Sequence, residues 1–174
     1  MGIQFETDYN METLTAMAKG LRKTVRKKRS RRVHIFAAVV LILGLLTILA
    51  TTAGGEPLGA GGVVTLLAML VVILVSLFED RLNAWFARKR LLPGTEHAAA
   101  TFEEDGYVSA TGVTESRFSY AQIVAVAETA RYFVFALSSH HTQAYDKRTI
   151  RGGSVEDFRA FIAEKTGKPI ANIK

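Results

Sequence analysis

The sequence predicts a membrane α+β protein, a two-helix transmembrane hairpin plus a small antiparallel β-barrel or curled sheet closed by a C-terminal helix. Three observations carry this fold class. Residues 33–53 and 58–78 are apolar runs with no Lys, Arg, Asp or Glu, each close to the ~20 residues that a helix needs to cross a bilayer's hydrocarbon core. Between residues 101 and 146, short stretches rich in β-formers alternate with turn residues. From Ser154 to Gly167 the chain carries a cap, an apolar stripe and a terminating glycine.

Along the chain, residues 1–9 come first. Ile3, Phe5 and Tyr9 alternate with Gln4, Glu6 and Asp8, the period-2 pattern of a half-buried strand. A lone strand does not persist in water, so it is expected to pair with the C-terminal sheet. Residues 10–32 form a basic amphipathic helix: Asn10 offers an N-cap, and Met11, Leu14, Ala18, Leu21 and Val25 make one apolar stripe. The helix runs toward or into the first span, its stripe packed on the protein's own neck or lying on the membrane surface. Residues 33–78 are the hairpin, bent at Gly54, Gly55, Glu56 and Pro57. Thr47 with Thr51, and Ala50 with Gly54, offer small or hydroxyl residues one turn apart for close helix packing. In the neck, residues 79–94, Leu82, Trp85, Phe86 and Leu92 continue a helical apolar face, with Trp85 at the level of an interfacial aromatic. Pro93–Gly94 ends that helix, and residues 95–100 read as a linker.

The cytoplasmic domain, residues 95–174, follows. Strands are predicted at 101–104, 107–111, 115–119, 123–128, 132–138 and 142–146, with Asp105–Gly106 as a hairpin turn. Ser154 caps the last helix with Asp157 at the reciprocal capping-box position. Val155, Phe158, Phe161 and Ile162 form its buried face, and Gly167 closes it. About 70 residues is near the lower limit for a self-sufficient core, which gives the strand at 1–9 a physical reason to join.

Charge sets orientation. The net charge is +6, but residues 1–94 hold 13 basic and 6 acidic side chains, and residues 95–174 hold 9 and 10. Both outer flanks of the hairpin are basic and the bend has no Lys or Arg. The positive-inside rule therefore puts both termini in the cytoplasm, with the protein multi-pass in the inner (plasma) membrane. A cleaved signal peptide is the poorer reading, because the basic lead is long and a second span follows. Nucleic acid is not an expected partner, since the basic cluster abuts a span and the tail is near neutral. An anionic leaflet suits that cluster, each juxtamembrane Lys or Arg contributing on the order of 1 kcal/mol. Zero cysteines exclude disulfides, thiolate metal sites and cysteine nucleophiles.

Residues Thr101-Phe102-Glu103-Glu104-Asp105-Gly106, the pair Glu115-Ser116, the run from Tyr120 to Thr129 and Tyr132-Phe133-Val134-Phe135 resemble the YcxB-like family. That resemblance implies a bacterial membrane protein with an N-terminal strand, a two-helix hairpin and a cytoplasmic domain like the pleckstrin-homology (PH) fold. The family commonly has an aromatic, often Trp, where this chain has Tyr120, and often Pro-Lys where it has Asp146–Lys147. Those departures bear on any shared ligand contact at 146–148.

Chemistry-bearing motifs are few. His140–His141 would point to opposite faces of a strand, and a solvated loop is the simpler reading unless a turn brings Asp146 to them. The acidic run Glu103–Glu104–Asp105 is a solvated hairpin tip. Gly152–Gly153 before a helix, with Lys147, Arg148 and Arg151, is the best anion patch, although Glu156 and Asp157 already occupy that helix end. No Walker loop, dinucleotide glycine pattern or catalytic triad order occurs, and no ionised residue in the spans marks a transport path. The expectation is a non-enzymatic, membrane-anchored interaction or regulatory module without cofactor or metal. An anionic-lipid sensor and an accessory subunit of a larger membrane complex are the alternatives. Candidate lipid contacts are Arg26, Lys27, Lys28, Arg29, Arg31, Arg32, Arg88, Lys89, Arg90, Lys147, Arg148 and Arg151. A protein partner, or self-association through the hairpin, completes the expected partners.

Overall fold

A computed structural model describes residues 2–55 and 57–173; Glu56, the charge assigned to the bend, lies outside them. In order, the elements are β1 Ile3–Asp8, α1 Met11–Lys23, α2 Lys27–Ala53, α3 Ala60–Leu77, α4 Glu79–Lys89, β2 His97–Phe102, β3 Tyr107–Thr111, β4 Glu115–Phe118, β5 Ala125–Glu128, β6 Tyr132–Ala136, β7 Thr142–Asp146, α5 Val155–Thr166 and β8 Ile170–Asn172. The strands form two four-stranded sheets, ordered β1-β2-β3-β4 and β7-β6-β5-β8.

A closed barrel does not form. β4 and β5 are not neighbours, because the chain leaves the first sheet through a 3-10 turn at Tyr120–Gln122 that Ser119 caps. Tyr120 holds that turn: its buried hydroxyl donates to the carbonyls of Glu103 (2.6 Å) and Gly106 (3.0 Å) at the β2–β3 hairpin. Antiparallel pairing has one exception, since β8 runs parallel to β5, Val126 opposite Ile170. Three residues are too short a strand to stand out from periodicity. The stretch read as a linker is mostly strand, because β1 pairs with it from Ile3 opposite Phe102 to Asp8 opposite His97. Ala98, Ala100 and Phe102 face inward, and the β1 ladder overrides alanine's weak strand preference.

Both sheets and α5 share one aromatic core. Phe5, Phe102 and Tyr107 of the first sheet meet Phe133, Phe135 and Tyr145 of the second and Phe158 of α5. Phe102 packs on Tyr107, Phe158 and Tyr145 with ring centroids 4.8–5.0 Å apart, mostly edge to face, as the ring quadrupole favours. α5 begins with the Ser154–Asp157 capping box and ends on Gly167 in the left-handed region.

The opposite face of the second sheet is covered too. Ala127, Tyr132, Val134, Ala144 and Ile173 pack against Ala16 and Met17 of α1. All five residues of β6 are therefore buried, which explains its unbroken apolar sequence. Gly20 lets α1 lie close, since a Cβ there would stand 2.8 Å from Val134 Cγ1. α1 does not run on into the first span: it ends at Lys23 and the chain turns before α2 begins at Lys27.

α4 packs on α1 through Ala84, which is fully buried. The apolar face read for the neck, Leu82, Trp85, Phe86 and Leu92, lies outward. Only a small residue fits where two helices approach this closely, and alanine carries no mark of that in sequence. α2 and α3 are each long and apolar enough to cross a membrane, and neither has a buried residue. Their close approach is at Gly44, where a Cβ would meet Met69 Sδ at 2.8 Å. Thr47 and Thr51 turn their hydroxyls back to the carbonyls of Leu43 and Thr47.

Candidate functional site

Three features meet where the apolar helices join the domain: an ion-paired neck, two clamped carboxylates and a groove. Arg22, in the last turn of α1, donates to both oxygens of Asp80, in the first turn of α4, at 2.7 and 2.5 Å. Each charge suits its own helix end, and a forked guanidinium–carboxylate pair fixes orientation as well as distance. Glu79 stands 3.8 Å from Arg22 and from His34 of α2. Arg26, in the break before α2, donates from Nε to the Ser139 carbonyl of the β6–β7 turn at 2.6 Å. The starts of α2 and α4 are thus both tied to the folded domain.

Glu128 at the end of β5 is 6% exposed. It accepts from Arg159 Nε and Nη2 at 2.9 and 2.7 Å and from Lys147 Nζ at 2.5 Å. Those cations, Arg159 foremost, hold its carboxyl down to about 2. Asp146, also buried, accepts from Arg131 Nε and Nη2 and from Arg148 Nη2 at 2.9–3.0 Å. Arg131 reaches on to Glu12 of α1. A buried carboxylate is tolerated when its charge is paired and its lone pairs are filled, and both conditions hold here.

These clamps change the reading of the loop after β7. Lys147 is nearly buried and spends its ammonium on Glu128 and the Thr129 carbonyl. Arg148 is committed to Asp146, and Arg151 lies 3.4 Å from Glu6. The backbone of Arg151 also bridges to Gln4, and Gly152, at φ +82°, passes so close to Gly2 that a Cβ would stand 2.6 Å from its carbonyl oxygen. Lys147 is therefore turned to the end of β5 and Arg151 ties β1 to the domain, while Arg148 and Arg151 keep exposed side chains beside Asp146 and Glu6. The acceptors lie 18 to 145 positions away in sequence or, for Asp146, beside them inside a strand. The one legible sign was a Glu at position 128 in an otherwise apolar stretch.

The remaining basic candidates lie near the apolar helices. Lys27, Lys28, Arg29, Arg31 and Arg32 are exposed on the first turns of α2. Arg88, Lys89 and Arg90 are exposed at the end of α4; Lys89 Nζ sits 3.6 Å over the Trp85 ring. His140 and His141 occupy the β6–β7 turn, one beside the Ser139 hydroxyl and the other edge-on to Phe118. Asp146 does not join them, and among the described residues no three His, Asp or Glu groups are placed to hold a metal ion.

A groove of about 1030 Å³ opens beside the neck, walled by α1, the β5–β6 turn, Asn172 and Ile173. Met11, Thr15, Ala16, Tyr132 and Ile173 line it, with Lys19, Arg81 and Glu12 among its charged groups. Nothing in sequence periodicity pointed to it, because its walls come from five separate segments.

Fold and site together define a small two-sheet domain, interrupted between its first two strands by a pair of helices long and apolar enough to cross a membrane. Residues 102–162 are YcxB-like: they match the YcxB-like protein family, from the last residue of β2 to Ile162 of α5. No curated protein and no solved structure matches the chain.

Proposed function

We propose that the protein is a non-enzymatic module anchored in the inner (plasma) membrane by its hairpin, with both termini cytoplasmic and a PH-like domain that binds and regulates a protein partner. The supporting observation is the coupling of hairpin to groove. β1 precedes the apolar helices and β2 follows them, so the hairpin is an insertion within one folded domain. α1, paired to α4 through Arg22 and Asp80, also forms a wall of the groove. A partner seated in that groove would touch the same helix that fixes the neck. The uncovered faces of α2 and α3 leave room for self-association or for docking on a larger membrane complex.

Site-specific photocrosslinking in native membranes tests this. A crosslinker at Thr15, in the groove, is expected to capture one defined protein. The same group at Val113, on the exposed β3–β4 turn, is expected to capture none. Equal capture at both positions, or self-crosslinks alone at Thr15, would sink the partner reading.

A further inference from the structure

A second cleft lies where the neck meets the start of α2, and it differs in chemistry from the groove. Its volume is about 590 Å³, inside the range of ~300–1,000 Å³ usual for small-ligand sites. Arg26, Arg29 and Arg90 line it, drawn from the α1–α2 break, the first turn of α2 and the end of α4. Among the described residues none of these three has a carboxylate partner, and the one acid in the cleft, Glu79, is already shared by Arg22 and His34. The cleft's apolar wall includes Val33 and Phe86, and Val33 is where the uncharged run of α2 begins. The first turn of α2 carries no acidic residue and no side-chain cap, so its N-terminal dipole adds to the field of the arginines.

From these observations we infer that the cleft binds the headgroup phosphate of an anionic glycerophospholipid from the adjoining leaflet. Arg29 and Arg90 pair with the phosphate in the forked geometry that guanidinium favours, Arg26, whose Nε already donates to the Ser139 carbonyl, adds its remaining N–H groups, and the apolar wall receives the start of an acyl chain. A free phosphate would use the arginines but gain nothing from Val33 and Phe86. A soluble acidic peptide would need an opening away from the bilayer, whereas this cleft sits at the base of the apolar helices. The inference rests on the reading that α2 and α3 lie in a membrane.

Native mass spectrometry of the full-length protein in mild detergent tests it, with phosphatidylglycerol or phosphatidylcholine added in equal amounts. One phosphatidylglycerol should be retained in preference to phosphatidylcholine. The variant R26Q/R29Q/R90Q should lose that preference, on the order of fivefold in affinity per arginine. R31Q/R32Q/R88Q removes the same charge outside the cleft and should keep it. Equal losses in the two variants would reduce the effect to diffuse charge and overturn the site, as would equal retention of the two lipids. Displacement by inorganic phosphate at the lipid's own concentration would overturn the lipid assignment. Should the triple variant not fold, Arg29→Gln alone carries the test, with about a fivefold loss expected. Alkaline extraction of membranes separates the two levels of the argument. Protein washed off the membrane refutes the membrane reading, whereas protein that stays on without lipid preference refutes only the site.

Discussion

Phe102 and Leu46 are both large apolar side chains, but their surroundings differ completely. Phe102 is 1% exposed and touches five other aromatic rings. Leu46, in the second half of α2, is 56% exposed, and no residue of its helix is buried. The first is held by shape complementarity inside the chain. The second has no cover within the chain, and an apolar surrounding outside it, such as lipid tails, would satisfy it. The domain therefore carries its own stability, and the hairpin borrows its surroundings.

Substitutions can break that contrast, beginning with the largest effect. Phe102→Ala empties the centre of the aromatic core and is expected to cost about 3–5 kcal/mol, read as a fall in the thermal unfolding midpoint of the domain by near-ultraviolet circular dichroism. Leu46→Ala should leave that midpoint in place. Equal shifts would show that domain and hairpin unfold as one unit.

Acid probes the clamped carboxylate next. Glu128 is held at about 2 against an ordinary value of 4.5, so the folded protein keeps it charged where the unfolded chain would protonate it. The stabilisation is complete above about pH 4.5 and disappears as pH falls toward 2, amounting to roughly 3 kcal/mol at most. Glu128→Gln should flatten the acid limb of a stability–pH curve over that window. An unchanged curve would show that Arg159 and Lys147 do not govern it.

Gly20→Val forces a side chain against Val134 and is expected to cost about 1–3 kcal/mol by overpacking. Its readout is again the unfolding midpoint, with loosening of α1 seen as faster hydrogen exchange at β6. Gly44→Leu, the equivalent change between α2 and α3, should sharpen the contrast by leaving the domain within about 0.5 kcal/mol of wild type. Its effect should appear instead as lost disulfide formation between cysteines placed on the two apolar helices, a clean assay in a chain with no native cysteine.

Legibility followed the range of the cause. Asn10 and Ser154 cap their helices, and Gly167 ends the last one, as local pattern required. The packing of α4 on α1 at Ala84 and the three-residue β8 were not legible, since each depends on what another segment presents to it. The same holds for the loop after β7. Three cations in five residues read as one patch, and only the fold shows that Lys147 turns inward to Glu128 while Arg148 and Arg151 stand exposed beside Asp146 and Glu6.

By itself, the sequence determined the two apolar helices, the basic flanks, the helix caps and the turn-rich strand region. Each depends on run length, periodicity or neighbours within a few residues. Tertiary structure alone decided that the neighbour of β1 in its sheet is β2, from the stretch read as a linker, that the strands divide into two sheets, and that three arginines share a cleft beside α2. Those outcomes depend on which distant side chains can be buried together, and hydrophobic burial and ion pairing at that range leave no trace in local order.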